Sequence, residues 1–157
     1  MVSNMTNRQS SHREQKWLRT SGQSVVELAL LIPVLIALLV VVSDLARVFY
    51  VFIEVSDAAR AGAQYGGQNR TSSADFATMQ QRATNAASDI TGMTAVASNF
   101  CTCSDGGAVV SCTNSGCVST IHLYVSVVTN TTFTTLYLFP GIPSSVALQG
   151  SAIVQVK

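Results

Sequence analysis

The chain has 157 residues, 48% of them hydrophobic and only 11% charged, against about 25% charged in an average soluble domain. That balance excludes a chain held in water by its charges and requires a membrane or an assembly to cover part of it. The net charge of +1 hides an uneven layout: residues 1–22 carry Arg8, Arg13, Lys16 and Arg19 against Glu14 alone, and the remainder holds five basic and seven acidic residues. Scattered cations beside a long apolar run fit the rule that positive flanks stay cytoplasmic better than they fit a nucleic-acid-binding arm, so no nucleic-acid partner is expected.

Apart from Glu27, every position from Val25 to Val42 is apolar, Ala or Pro. As a helix rising 1.5 Å per residue the run is about 27 Å long, close to a hydrocarbon core of about 30 Å. It predicts one membrane-spanning helix. A cleavable secretory signal fits less well, because its apolar region is about 7–15 residues and Ser43-Asp44-Leu45-Ala46-Arg47 offers no small-x-small site. The N-terminus is therefore expected in the cytoplasm and everything after Asp44 outside.

Helical spacing continues past the run. Leu45, Val48, Phe49, Phe52, Val55, Ala59 and Ala63 recur at steps of three and four, while Asp44/Arg47 and Asp57/Arg60 are opposite charges placed to meet on one helix face. The membrane helix thus extends into an amphipathic stalk, ended by Gly66-Gly67 and a polar linker. A second helix is expected over Ala74–Ile90 with Ser73 as its N-cap and Gly92 closing it. Alternation in Ile121–Val127 and Ala147–Val156 predicts strands, and Leu136-Tyr137-Leu138-Phe139 before Pro140-Gly141-Ile142-Pro143 an apolar patch leading into a turn. No Asp, Glu, Lys or Arg lies between Asp105 and Lys157, and strands without charged gatekeepers invite lateral association.

All four cysteines, Cys101, Cys103, Cys112 and Cys117, fall on the outer side, where disulfides are the natural reading. Cys101 and Cys103 are too close to pair comfortably with each other. This leaves 101–112 with 103–117, or 101–117 with 103–112, and the sequence does not choose. Four thiolates around zinc would call for two C-x2-4-C knuckles, whereas this array is C-x-C followed by C-x4-C. No metal site and no cofactor are expected. Nor is an enzyme: His12 lies in the leader and His122 on a strand, Asp75, Asp89 and Asp105 form no catalytic pattern, and no phosphate loop, metalloprotease helix or hydrolase elbow is present.

Glu27 is the anomaly. An acid at mid-membrane costs about 2.5 kcal/mol or more. One resolution is that Ser24-Val25-Val26-Glu27 is an S-x-x-E capping box at a helix start, where the positive end of the dipole favours an anion. The surrounding residues add a second. Gly22-Gln23-Ser24-Val25-Val26-Glu27, behind a basic leader and at the head of an apolar helix, resembles the processing site of type IV pilin-like precursors, in which a membrane aspartyl peptidase cuts after the glycine. On this chain the resemblance implies a cut between Gly22 and Gln23, with Glu27 becoming the fifth residue and acting in processing and assembly.

Over Gly22 to Gly67 the likeness narrows. Gly22, Ser24, Val26, Glu27, Ala29, Pro33, Asp44 and Ala58-Ala59-Arg60-Ala61-Gly62-Ala63 are similar to the pattern of the TadE-like family, minor pilins or pseudopilins of tight-adherence pili, with departures at Leu28 and Gln64. Pro33 also reads as a tolerated kink and the Ala/Gly stretch as a smooth surface for close helix approach.

The expected fold is α+β: one N-terminal transmembrane helix extended as a stalk, then a small extracytoplasmic domain with one helix and an antiparallel sheet. The expected divisions are a basic leader over 1–22, membrane helix and stalk over 23–67, and a disulfide-bearing domain over 68–157. The resemblance implies a single-pass bacterial inner-membrane precursor, cut by a prepilin-type peptidase. Its partners would be other pilin or pseudopilin subunits and the pilus assembly machinery, and its role the assembly or display of an adhesive pilus. The alternative is a permanently anchored extracytoplasmic binding protein with a disulfide-stabilised domain.

Overall fold

The structure, a computed structural model, describes the backbone of residues 6–104, 109–113, 117, 120–136 and 143–157, and side chains from residue 22 onward. The architecture is α+β, with α1 (Thr6–Gly66), a short 3-10 turn (Ser72–Ala74), α2 (Phe76–Ala86), β1 (Thr94–Cys103), β2 (Val109–Val110), β3 (Ile121–Thr134) and β4 (Ser145–Gln155). Contacts divide the chain into two units, Met1–Ser43 and Asp44–Lys157.

From Thr6 onward the first unit is helix. From Val25 to Val42 its large apolar side chains are open: Leu30 keeps 71% of its surface and Leu39 64%. The helix runs through Pro33, which has no N–H to offer the Ala29 carbonyl.

In the second unit an antiparallel sheet in the order β2-β1-β3-β4 packs against α1 and α2. Alternation in β3 places Val125, Val127, Thr129, Thr131 and Phe133 inward, all of them buried, as a period of two requires for a sheet covered on one face. From Val55 onward α1 presents Val55, Ala58, Ala59, Gly62, Ala63 and Gly66 to this face. Small residues let the backbone come close: a Cβ on Gly62 would lie 2.8 Å from the Met79 carbonyl and 3.2 Å from Val127. The close approach expected of the Ala/Gly stretch is thus made to this chain's own α2 and β3. At Gly150 a Cβ would meet the Val55 carbonyl at 2.5 Å. Beside it the Thr129 hydroxyl donates to that same carbonyl at 2.7 Å. The core cluster is Ala63, Met79, Ala83, Val125 and Val127; each large member contributes about 1.5–3 kcal/mol by leaving water.

Gly66-Gly67 end α1, where the Gly67 amide donates to the Ala63 carbonyl at 2.9 Å. The start of α2 differs from expectation. Ser73 is occupied in the 3-10 turn, its hydroxyl donating to the Arg70 carbonyl at 2.7 Å, and Asp75 is the N-cap, accepting from the Thr78 amide at 3.1 Å. α2 also stops at Ala86, short of Gly92, which sits at φ 76° just ahead of β1.

β1 was not expected, because its alternation is inverted. Ala95 and Ala97 pack against the core while Val96 is 58% exposed. β3 and β4 extend beyond the segments that alternation marked, pairing from Tyr124↔Gln155 to Thr134↔Ser145. Residues 137–142 of the apolar patch and turn lie outside the described residues.

Disulfides join Cys101 to Cys112 and Cys103 to Cys117, with Cα–Cα separations of 5.2 Å and 5.7 Å. This is the first of the two open connectivities, and it uses the thiols a zinc site would need. The register Cys101↔Val110 and Thr102↔Val109 brings β2 against β1 on the side that suits this pairing.

Candidate functional site

The site predicted from sequence, Gly22, Gln23 and Glu27, lies on α1 at the head of the apolar run. Among the described residues nothing stands within 4 Å of a Cβ built on Gly22, so no distant part of the chain crowds this position. It lies in helical backbone, however, not in an extended segment. Thr20, Ser21 and Gly22 are all weaker helix formers than Ala, Gly by about 1 kcal/mol, which lowers the cost of local unwinding there.

One turn on, the Gln23 amide donates from Nε2 to Glu27 Oε1 at 3.4 Å, and both side chains are exposed. Gln23 and Glu27 thus share one helix face, the geometry expected of positions four apart. With residues 6–21 also helical, Ser24 and Glu27 lie inside α1. The capping-box reading needed a helix start at Ser24, and the leader, which has no Pro or Gly between residues 6 and 21, removes that start by continuing the helix.

Among the described residues one helix is long and apolar enough to cross a membrane, with a mean hydropathy of 3.1 in its most apolar window. Glu27 is the single acid within Val25–Val42.

Where the compact unit begins, Asp44 is 8% exposed and accepts from Arg47 at 3.1 Å. The Arg47 guanidinium lies over the Phe133 ring, 5.2 Å from its centre. The spacing of the two residues predicts only that they meet on one helix face. In the structure the carboxylate is enclosed and the cation is held by β3, which fixes α1 to the sheet at this level. Asp57 and Arg60 do pair as a surface contact, at 2.9 Å with both ends exposed, worth about 0–1 kcal/mol. The Tyr50 hydroxyl donates to the Asp89 carboxylate at 2.7 Å. That hydrogen bond, and then the carboxylate's charge, raise the Tyr50 pKa above its ordinary 10.0. Neither Arg47–Phe133 nor Tyr50–Asp89 was foreseen, since both join residues far apart in sequence. His122 meets Gln155 Nε2 at 2.8 Å through Nδ1 as part of the sheet surface.

Residues 22–64 match the model of the family described as TadE-like protein. The chain carries a TadE-like segment. No curated protein and no solved structure matches it.

The TadE-like segment begins at Gly22, includes Gln23, Glu27, Pro33 and the Asp44–Arg47 pair, and stops two residues short of the end of α1. Its two ends do different things. The first is an open apolar helix headed by an acid; the last is the Ala/Gly face buried under β3 and α2. The match covers the apolar helix and the first part of the compact unit and leaves the sheet outside it. Among the described residues no group of His, Cys, Asp or Glu is placed to hold a metal ion.

Proposed function

We propose that the chain is the precursor of a pilin-like subunit, held by α1 in the bacterial inner membrane with its leader in the cytoplasm. In this reading a prepilin-type peptidase cuts it between Gly22 and Gln23 so that it can serve assembly or display of an adhesive tight-adherence pilus. The observation that carries the reading is the uncrowded Gly22 at the head of a run of exposed apolar side chains that contains one acid, Glu27.

The electrostatics support it. Cleavage removes Arg8, Arg13, Lys16 and Arg19 and creates an amine on Gln23, a group that normally titrates near about 7.7–8.0 and is largely cationic at neutral pH. The amine arises one turn from Glu27 of its own chain, on the face where Gln23 already reaches that carboxylate. Removal of the leader also makes a helix start at Ser24, so that the capping box is created by the cut. In a filament the amine would meet a neighbour's Glu27 among apolar helices, where either charge left alone is penalised by several kcal/mol. Register follows from that pairing and adhesion from the apolar faces.

The test is the identity of the first residue in membranes and in sheared surface material. A mature chain beginning at Gln23 is expected, and Glu27→Ala should insert in the membrane yet fail in processing or assembly. A leader retained on every copy in cells with a working peptidase overturns the reading. It would favour the permanently anchored binding protein, for which the disulfide-bridged outer unit with its own core is the supporting feature.

A further inference from the structure

One end of the compact unit gathers exposed apolar side chains that neither the core nor the proposed cleavage site uses. Contacts along α1 define that end. Gly66 lies against Val125, Gly62 against Val127 and the Val55 carbonyl against Thr129. Arg47 lies over Phe133, so β3 runs down α1 towards Asp44. α2 descends alongside: Tyr65 bonds Asp75, Gly62 faces Ala83, and Tyr50 bonds Asp89. The last residues of β3 therefore share a level with Asp44–Tyr50 and Asp89, while Lys157, whose amide donates to the Gly67 carbonyl at 3.2 Å, marks the far end.

At the Asp44 level two separate elements show apolar surface. Leu136, two residues past β3, is 63% exposed, and on α1 Leu45 and Phe49 are 50% and 62% exposed. The chain between Leu136 and Pro143 reads Tyr-Leu-Phe-Pro-Gly-Ile, without a charge. The charged groups described at this level are already partnered: Asp44 by Arg47, Arg47 by Asp44 and the Phe133 ring, and Asp89 by the Tyr50 hydroxyl.

We propose that this end of the unit docks on the outer surface of the bilayer, with Leu136 and the Leu45–Phe49 face of α1 seated among the lipids. The proposal rests on the reading of Val25–Val42 as a membrane span. Chain continuity supplies the proximity. Leu45 follows Val42 by three residues, about 4.5 Å of helix, inside a headgroup layer that adds about 5–8 Å on each side of the hydrocarbon core; Phe49, at about 10 Å, stands at the outer edge of that layer, with its side chain tilted back toward the helix N-terminus and so toward the lipid. Amphipathic aromatic rings such as Tyr50, 53% exposed beside Phe49, are the side chains that settle at that boundary. A neighbouring protein helix would cover the α1 face alone, but Leu136 stands on another element at the same level, and lipid reaches both.

The experiment uses the full chain in phosphatidylcholine vesicles containing acyl-brominated lipid, with Trp17→Phe removing the single native tryptophan. Leu136→Trp is expected to lose several-fold more fluorescence to the brominated lipid than Ile153→Trp, whose site is 61% exposed on β4 far from Asp44. Leu35→Trp, inside the apolar run, reports the span itself. If Leu35→Trp is quenched while Leu136→Trp behaves like Ile153→Trp, docking is overturned and the span stands; if Leu35→Trp is unquenched as well, both fall. Shielding of Leu136→Trp from aqueous iodide without quenching by lipid would assign the patch to a protein neighbour and overturn the proposal.

Discussion

Between Val25 and Val42 α1 carries Leu, Ile and Val outward, with Leu30 at 71% exposure, whereas from Val55 to Gly66 it buries Val55, Ala58, Ala59 and Ala63 completely. The contrast is one of side-chain size. Where another phase or another subunit must cover the helix, bulk provides contact area; where the chain's own sheet covers it, small residues let the backbones meet, as at Gly62 and Gly150. A single continuous helix can therefore belong to two environments, with the change of partner written in residue volume rather than in a break of secondary structure. The TadE-like match, which covers both halves, joins an exposed sequence to a buried one.

The sharpest way to break that contrast is to delete volume in each half. Met79 is fully buried against Ala63, Ala83, Val125 and Val127, and Met79→Ala is expected to cost the compact unit about 2–5 kcal/mol, measured as a shift of the urea midpoint by near-ultraviolet circular dichroism in detergent. Leu35→Ala, at a position 54% exposed, should leave that midpoint in place. Equal losses from both substitutions would mean that the two halves share one cooperative core.

Adding volume tests the same idea with a smaller effect. At Gly150 a Cβ would sit 2.5 Å from the Val55 carbonyl and 2.8 Å from the Ser56 Cα. These are backbone atoms that cannot rotate aside, so Gly150→Ala is expected to destabilise the unit by about 1–3 kcal/mol. A neutral result would show that α1 and β4 separate without loss at that level, and that close approach is not what the small residues serve.

The sequence makes the membrane-length run, the end of α1 at Gly66-Gly67, the Asp44/Arg47 and Asp57/Arg60 pairs and the strands at β3 and β4 legible, because each is signalled by neighbours in the chain. The buried face of the stalk is less so. Its line runs through Asp44, Val48, Val51, Val55, Ala58, Gly62 and Gly66, beginning on a carboxylate and ending on glycines, while Leu45, Phe49 and Phe52, which the three-and-four spacing selects, stay exposed. Val55, Ala59 and Ala63, which the same spacing selects, are fully buried, so hydrophobicity misleads only near Asp44, where the packed face begins on one enclosed carboxylate in place of a large apolar side chain. β1 was hidden because its inward positions are the small Ala95 and Ala97. Gly22, Gln23 and Glu27 were legible as a pattern; the helical state of the bond between Gly22 and Gln23 was not, since it depends on the leader continuing the helix.

The smallest expected effect concerns acid, and it belongs wholly to the compact unit. Asp75 caps α2, and its pKa lies below the ordinary 3.8, first because the Thr78 hydroxyl and then the Thr78 amide bond the carboxylate, with Tyr65 adding a third bond. A carboxylate whose folded pKa is depressed binds fewer protons than the unfolded chain, so its contribution is fully present above the unfolded value of about 3.9 and is lost as pH falls through the lower folded value. Exchange protection of the Thr78 amide should therefore hold from neutral pH down to about that value and weaken only below it. Asp75→Asn keeps an acceptor oxygen for that amide but no titrating charge, so it should flatten the acid dependence while leaving the cap in place near neutrality. Acid dependence at Thr78 that is unchanged in Asp75→Asn would assign it to another carboxylate, with Asp89 beside Tyr50 the next to substitute. An unchanged Leu35→Ala profile in the same experiment would confine the effect to the unit that begins at Asp44.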